Sequence, residues 1–408
     1  MINRVVVTGG SVITPIGHDW HTIEKQLKQK KSGIKRMAEW EKYKRLNTKL
    51  AAPIEWTAPE YPRKKTRGMG KVALIAVHSS ERALIDAGLI DSPILVKGES
   101  GVSYGSSTGN VDALLDFYSM LTTNDIQGIT ATTYIRSMPQ TCAVNIAVFF
   151  GLTGRLLTSN TACTAGSLAI GLGFEAIKYG QQKVMICGGA EELNPTGSAV
   201  FDTLFATSVK NDTPHLTPRP FDKDRDGLVI GEGAGTIILE ELNHALKRGA
   251  HIYAELVGFG TNTDGKHITQ PDKRTMEIAL HKALASADLD PGQIDYVNGH
   301  GTATQHGDIA ESHATYNCFK RSIPINSQKS YIGHTLGACG AIESWLAINM
   351  MNNNWFAPNI NLDNVDPACA PLDYITGEGR AIEAQYIMCN NFAFGGINTS
   401  LIFRRWDN

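Results

Sequence analysis

The sequence predicts an α/β protein with a buried sheet, laid out as two halves of similar style. Short β-rich runs alternate with runs of helical period, and after residue 250 the alternation restarts as it began. Composition agrees, since 42% hydrophobic and 19% charged residues are those of an ordinary globular chain. At 408 residues the chain is long enough for two domains and an ample core, expected at 1–250 and 251–408.

The elements follow in order. VVVTGG reads as a first strand closed by a Gly-Gly turn. KVALIAVHSSERALIDAGL spaces its apolar residues helically and sets Gly88 where a helix C-cap is expected. VSYGSS and NIAVFFGL continue the β-rich runs, SLAIGLGFEAIKYG is helical, and VMICGG is an apolar run stopped by glycines, as a buried strand would be. The second half repeats the style with IYAELVGFGTNTDG, a helical MEIALHKALASADL and the strand IDYVNGHGT. No short repeat or low-complexity segment is present, which excludes a solenoid.

Charge and cysteine usage narrow the function classes. The net charge of −2 implies no partner, but His21–Lys71 holds fifteen Lys/Arg against five Asp/Glu. Such a stretch is either a solvated helical surface or a patch for nucleic acid, an anionic membrane or an acidic protein. A nucleic-acid role would rest on that stretch alone, without any recognised binding motif. MINRVVVTGG is too short in its apolar run for a signal peptide. The longest apolar candidate, AVNIAVFFGL, carries an Asn and falls short of the ~18 residues of a membrane helix. Seven cysteines, without paired spacings, do not make a disulfide framework. The expected setting is a reducing cytosol, with no membrane insertion.

TSNTACTAG sets Cys163 among small side chains, after the apolar LL and before a helical segment. Small neighbours leave the sulfur reachable, and the first turn of a helix offers unpaired N–H groups. Those groups and the helix dipole favour a thiolate and can hold a developing oxyanion. A small packing cysteine explains this segment equally well, so a nucleophile needs partners. They stand in the second half. YVNGHGTATQHGD puts His300 between glycines after a strand, and INSQKSYIGHTLGACGAIE puts Lys329 and His334 before another small-residue helix. Two glycine-flanked histidines after strands point to a site at the strand ends, where they can stabilise an anion on a carbonyl oxygen. Metals fit less well. DKDRDGLVIGEG opens like a calcium loop at Asp222, Asp224, Asp226 and Gly227, but Gly233 takes the twelfth position and Glu232 falls one short. His300, His306, Asp308, Glu311 and His313 lack zinc-site spacing. GLGFEA and GEGAG lack full nucleotide-loop patterns.

TACTAG around Cys163, PRPFDKDRDGLVIGEGAG at 218–235, GHGTAT around His300, KSYIGHTLGACGAIE at 329–343 and NNFAFGG near the C-terminus occur in that order. Together they resemble the β-ketoacyl-(acyl-carrier-protein) synthases of the elongating, KAS II type, over nearly the whole chain. The resemblance implies a thiolase-like, five-layered α/β/α/β/α fold of two similar halves, usually a homodimer, with a heterodimer beside a related subunit as the variant. It implies that Cys163 accepts an acyl chain from acyl carrier protein as a thioester. His300 and His334 would bind the malonyl thioester carbonyl and assist decarboxylation, with Lys329 as electrostatic support. Phe394 would be the gate, its N–H joining that of Cys163 in an oxyanion hole. Thr302 and Thr304 would contact the pantetheine arm, while Asp308, Glu311, Glu343 and Phe392 order the site. No metal or free cofactor is implied, because the substrates ride on the carrier's 4′-phosphopantetheine. The basic stretch at 21–71 would then steer an acidic carrier.

The chain departs from the family pattern at Ser327-Gln328-Lys329, at Gln305-His306 and at Asn391-Phe392-Ala393-Phe394-Gly395-Gly396. These changes spare the catalytic positions but bear on the acyl substrate. A polyketide or aryl-polyene type II branch therefore stands beside fatty-acid elongation. A thiolase would need a C-terminal Cys-x-Gly, and here Cys389 precedes two asparagines. A non-catalytic chain-length factor would lack the cysteine that this chain keeps.

Overall fold

A computed structural model describes residues 2–407, so Met1 and Asn408, the outer ends of the two expected halves, lie outside the described residues. The first half runs β1 (Val5–Ile13), α1 (Lys71–Asp86), β2 (Ser100–Gly105), α2 (Thr141–Phe150), β3 (Leu156–Ser159), α3 (Ala165–Lys178), β4 (Val184–Glu191) and β5 (Gly233–Glu241). The second half repeats it as β6 (Ala254–Thr263), α4 (Lys273–Ala287), β7 (Tyr296–Asn298), α5 (Gln305–Phe319), β8 (Pro324–Asn326), α6 (Cys339–Asn352), β9 (Tyr386–Ala393) and β10 (Ile397–Arg405).

Pairing repeats as well. The first sheet is ordered β1-β5-β4-β2-β3 and the second β6-β10-β9-β7-β8. In each, the first two pairings are antiparallel and the last two parallel. The sheets join edge to edge where Val5, Val6 and Val7 face Leu256, Glu255 and Ala254. Helices α1 and α2 pack on the outer face of the first sheet, and α4 and α5 together cover the second. Helices α3 and α6 touch each other and strands of both sheets, which makes them the middle of five layers. The middle layer is buried on every side: from Cys339 to Met351 every residue of α6 is buried. This is the thiolase-like architecture that the resemblance implies.

Gly88 closes α1 at φ +65°, as its spacing predicts. NIAVFFGL, expected among the β-rich runs, instead belongs to α2. It is apolar almost all round, so periodicity could not separate helix from strand, and the true strand is the shorter LLTS of β3. The helix Val111–Thr123 and its neighbour Ala131–Ser137 also had no counterpart among the expected elements. Close approach brings the halves together at the site. A Cβ on Gly189, in β4, would lie 2.1 Å from the carbonyl oxygen of Gly337, in the turn before α6. Only glycine permits that contact.

Candidate active site

Strand β3 leads into a tight turn, Ala162–Thr164, and then into α3. Ala162 adopts φ +49°, a left-handed conformation that costs a non-glycine residue about 1–2 kcal/mol. The kink presents Cys163, 4% exposed, at the head of the central layer. The second half builds the same device, with Leu336 at φ +45° in the turn Leu336–Ala338 before α6. His334 lies just ahead of it, fixed by its N–H on the carbonyl of Val229 (2.7 Å) and its carbonyl on the N–H of Gly231 (2.8 Å). Its Nε2 stands 3.0 Å from Cys163 Sγ.

His300 arrives from the C-terminal end of β7. Glu311, on α5, accepts the N–H groups of His300 (2.5 Å) and Gly301 (2.7 Å), which pins the loop. Asp308 accepts those of Phe221 (2.7 Å) and Ala303 (3.1 Å). The His300 and His334 rings meet edge to face with centroids 5.1 Å apart. One ligand atom from each of Cys163, His300 and His334 lies within 4.8 Å of the others.

The hydrogen bonds assign the tautomers. Nδ1 of His334 accepts the N–H of Leu336 at 3.3 Å. Nδ1 of His300 accepts from the Lys329 ammonium at 3.1 Å and from the Asn391 amide at 3.3 Å. Each neutral ring therefore carries its proton on Nε2, which in His334 faces the sulfur. Burial pushes both histidines well below their ordinary pKa, and Lys329 adds to the push. Burial opposes the charge of Lys329, yet Glu343 at 2.5 Å holds its pKa above the usual lysine value. Asn391 also donates to the second oxygen of Glu343 at 2.8 Å.

The expectation of a thiolate favoured by the helix N-terminus is corrected. Burial pushes the Cys163 thiol up to about 11, against the downward pull of Lys329 and of the Phe394 and Cys163 N–H groups. The dipole is outweighed because the sulfur sits in the middle layer rather than at a wet helix end.

A cavity of about 550 Å³ opens onto this sulfur. His300, His334, Thr302, Thr304, Phe392 and Phe394 line it, as does Glu311. The Thr302 and Thr304 hydroxyls share a 2.9 Å hydrogen bond and are half-buried. The Phe394 ring packs on Phe201 with centroids 5.0 Å apart. Lys329, Asp308 and Glu343 stand behind the wall, fully buried. All the site residues expected from the sequence thus gather in one place.

Three participants escaped that reading. Asn391 counted only as a departure, although its amide joins Glu343 to His300. Arg225 was weighed only inside a calcium frame, yet it is buried and binds the carbonyls of Thr304 (3.3 Å) and Gln305 (3.1 Å) and the carboxylate of Asp366 (2.7 Å). Its signal was an arginine inside an acidic loop. Asp222 of the same loop is taken by Arg219 at 3.1 Å and by the N–H groups of Asp224, Asp363 and Asn364. Asp264, which accepts from the Asn398 amide at 2.7 Å beneath the Phe394 loop, gave no signal at all.

Comparison with known proteins agrees with this geometry. The model of the beta-ketoacyl synthase N-terminal domain matches residues 2–245, and that of the C-terminal domain matches residues 253–363. The chain is 35% identical over 410 residues to 3-oxoacyl-(acyl-carrier-protein) synthase 1 of Haemophilus influenzae, covering 100% of both. A beta-ketoacyl synthase from Burkholderia phymatum superposes with TM-score 0.98 at 54% identity, over 99% of this chain and 100% of that one. A type II PKS acyl-carrier protein in complex with its ketosynthase bound to the hexaketide gives TM-score 0.89 at 29% identity over 100% of each chain. With both domain models matched along most of its length, the chain belongs to the β-ketoacyl synthase family of condensing acyltransferases.

Proposed function

We propose that Cys163 accepts an acyl group from acyl carrier protein and condenses it with malonyl-carrier protein, releasing CO2. In the first half-reaction Sγ attacks the thioester carbonyl, the C–S bond to pantetheine breaks, and the thiol proton leaves with the pantetheine sulfur. The N–H groups of Cys163 and Phe394 hold the tetrahedral oxyanion. In the second, the malonyl carboxylate departs as CO2 and leaves an enolate, whose oxygen takes hydrogen bonds from Nε2–H of His300 and His334. The enolate carbon then attacks the acyl-Cys163 carbonyl, forming the C–C bond as the C–S bond breaks, and Cys163 leaves as a thiolate that takes one proton from solvent to restore the thiol. Lys329 favours neutral His300, and Glu343, itself held by the Asn391 amide, keeps Lys329 in place. Thr302 and Thr304 receive the pantetheine arm, while Asp308, Glu311 and Phe392 order the wall. The observation that carries this reading is the gathering of one cysteine sulfur and two histidine rings with occupied Nδ1 atoms, one ligand atom of each lying within 4.8 Å of the others.

The division near residue 250 into a half with the nucleophile (1–250) and a half with the histidines and lysine (251–408) is supported by the matching models, which part between 245 and 253. No helix among the described residues is long and apolar enough to cross a membrane. We place the protein in the cytoplasm, as a homodimer. The pathway is fatty-acid elongation or a specialised type II polyketide or aryl-polyene branch.

The test is intact-protein mass after mixing with carrier proteins charged with short, long and polyenoic acyl groups, beside Cys163→Ala. An adduct that vanishes in the variant is expected, and the preferred chain selects the branch. An adduct that persists in the variant would sink the assignment of the nucleophile.

A further inference from the structure

Glu191, the last residue of β4, is a buried acid that the mechanism above does not use. It is 2% exposed and stands outside the cavity wall. One oxygen, Oε2, accepts the N–H groups of Gly337 (3.0 Å) and Ser107 (2.9 Å), and Oε1 accepts the Thr108 hydroxyl at 3.4 Å. Its partners are thus two N–H groups and a hydroxyl rather than a cation, although a buried carboxylate without a counter-charge is costly. Glu192 beside it holds the same segment further on, accepting from the Asn110 amide at 3.0 Å and the Val111 N–H at 2.9 Å. Glu191 also reaches across to the second half.

The bond to Gly337 bears on the site. Leu336, just before it, holds φ +45°, a conformation that a non-glycine residue keeps only under constraint. The Leu336 N–H is the group that occupies Nδ1 of His334 at 3.3 Å, and His334 Nε2 faces Cys163 Sγ at 3.0 Å. Fixing the Gly337 N–H fixes the plane of the Leu336–Gly337 peptide, and with it the turn that carries this contact. We propose that Glu191 is a positioning residue: through the Leu336–Ala338 turn it sets the tautomer and the placement of His334 at the nucleophile. The inference rests on the reading of His334 as a hydrogen-bond donor in condensation. Burial pushes the Glu191 carboxyl up to about 7, against the pull of the Ser107 and Gly337 N–H groups. Both of its protonation states therefore occur near neutral pH, and each keeps an oxygen that accepts. The turn needs the acceptor, not the charge.

The experiment compares wild type with Glu191→Ala and Glu191→Gln. Glutamine keeps an acceptor oxygen for the two N–H groups and turns its amide to the Thr108 hydroxyl. KM and kcat for condensation are measured with acyl- and malonyl-carrier protein, at a temperature where circular dichroism shows all three folded. Hydrogen exchange by mass spectrometry reads the amides of residues 334–341. Expected for Glu191→Ala are a kcat about tenfold lower with KM unchanged, and lost protection across the turn. Glu191→Gln is expected to keep the wild-type kcat and the wild-type protection. Should the alanine variant not fold, Glu191→Asp carries the test, because its carboxylate falls one methylene short of Gly337 and the same loss of kcat is expected. A wild-type kcat in the alanine or aspartate variant overturns the proposal. A glutamine variant as impaired as alanine also overturns it, making the charge the working feature. A wild type that condenses nothing would sink the catalytic reading, and exchange alone would then decide whether Glu191 holds the turn.

Discussion

Both imidazoles of the site donate at Nε2 because another group already occupies Nδ1, and neither can gain a second proton cheaply in a buried wall beside an ammonium. The sign of the shift sets the pH behaviour. A histidine whose pKa is lowered stays neutral through pH 6.5 and titrates only in more acid solution. The plateau of kcat/KM for malonyl-carrier is thus expected to extend below pH 6.5, and an acid limb centred at or above 6.5 would contradict the assignment. Lys329 and Glu343 form a buried pair, so Lys329→Ala leaves a carboxyl without its cation, at about 3–5 kcal/mol by urea denaturation. A loss under 1 kcal/mol would mean that the two are not coupled as the distances imply. Glycine neighbours made Cys163, His300 and His334 legible in the sequence, because small flanks on polar groups have no packing purpose. Asn391 was not legible, since its amide gains meaning only when β9 is laid beside α6.

At the scale of elements, the site is two copies of one device. Each half leaves a parallel strand, kinks through a left-handed residue and starts a central helix, with Ala162 before α3 and, after the short helix Lys329–Ile332, Leu336 before α6. The devices face each other because Gly189 lets β4 touch the Gly337 turn. Gly189→Ala must push that turn away. It should cost about 1–3 kcal/mol in stability, measured by urea melts. It should also lower the rate of Cys163 acylation, since Gly337 lies three residues from His334 in the chain. Wild-type acylation in a destabilised variant would show that the turn relaxes without moving His334. The alternation of strands and helices was readable along the chain, because each central helix follows a short apolar strand. The length of β3 was not, because LLTS is too short to show a period and α2 just before it is apolar on all sides.

At the scale of the whole molecule, the first half leaves two features unfinished. On the helix Val111–Thr123, Leu114, Leu115, Tyr118 and Leu121 are exposed by 48%, 61%, 66% and 72%, a stripe along one face. Ile126 and Tyr134, in the segment that follows, are exposed by 74% and 59%. In sequence such a helix looks like any core helix, since the pattern tells that a face is covered but not by what. Strand β3 also ends the first sheet with no neighbour beyond it among the described residues. An apolar stripe and an open edge in one half are liabilities for a lone subunit. A second copy meeting this face about a twofold axis would cover both. Light scattering is then expected to give twice 44.2 kDa for the chain expressed alone. Tyr118→Asp with Leu121→Asp should convert it to monomer. A wild-type monomer with this stripe would instead require a related but different subunit, and co-expression with such a subunit would recover the dimer mass. Wild-type dimers that survive both substitutions would place the contact elsewhere and leave the stripe unexplained.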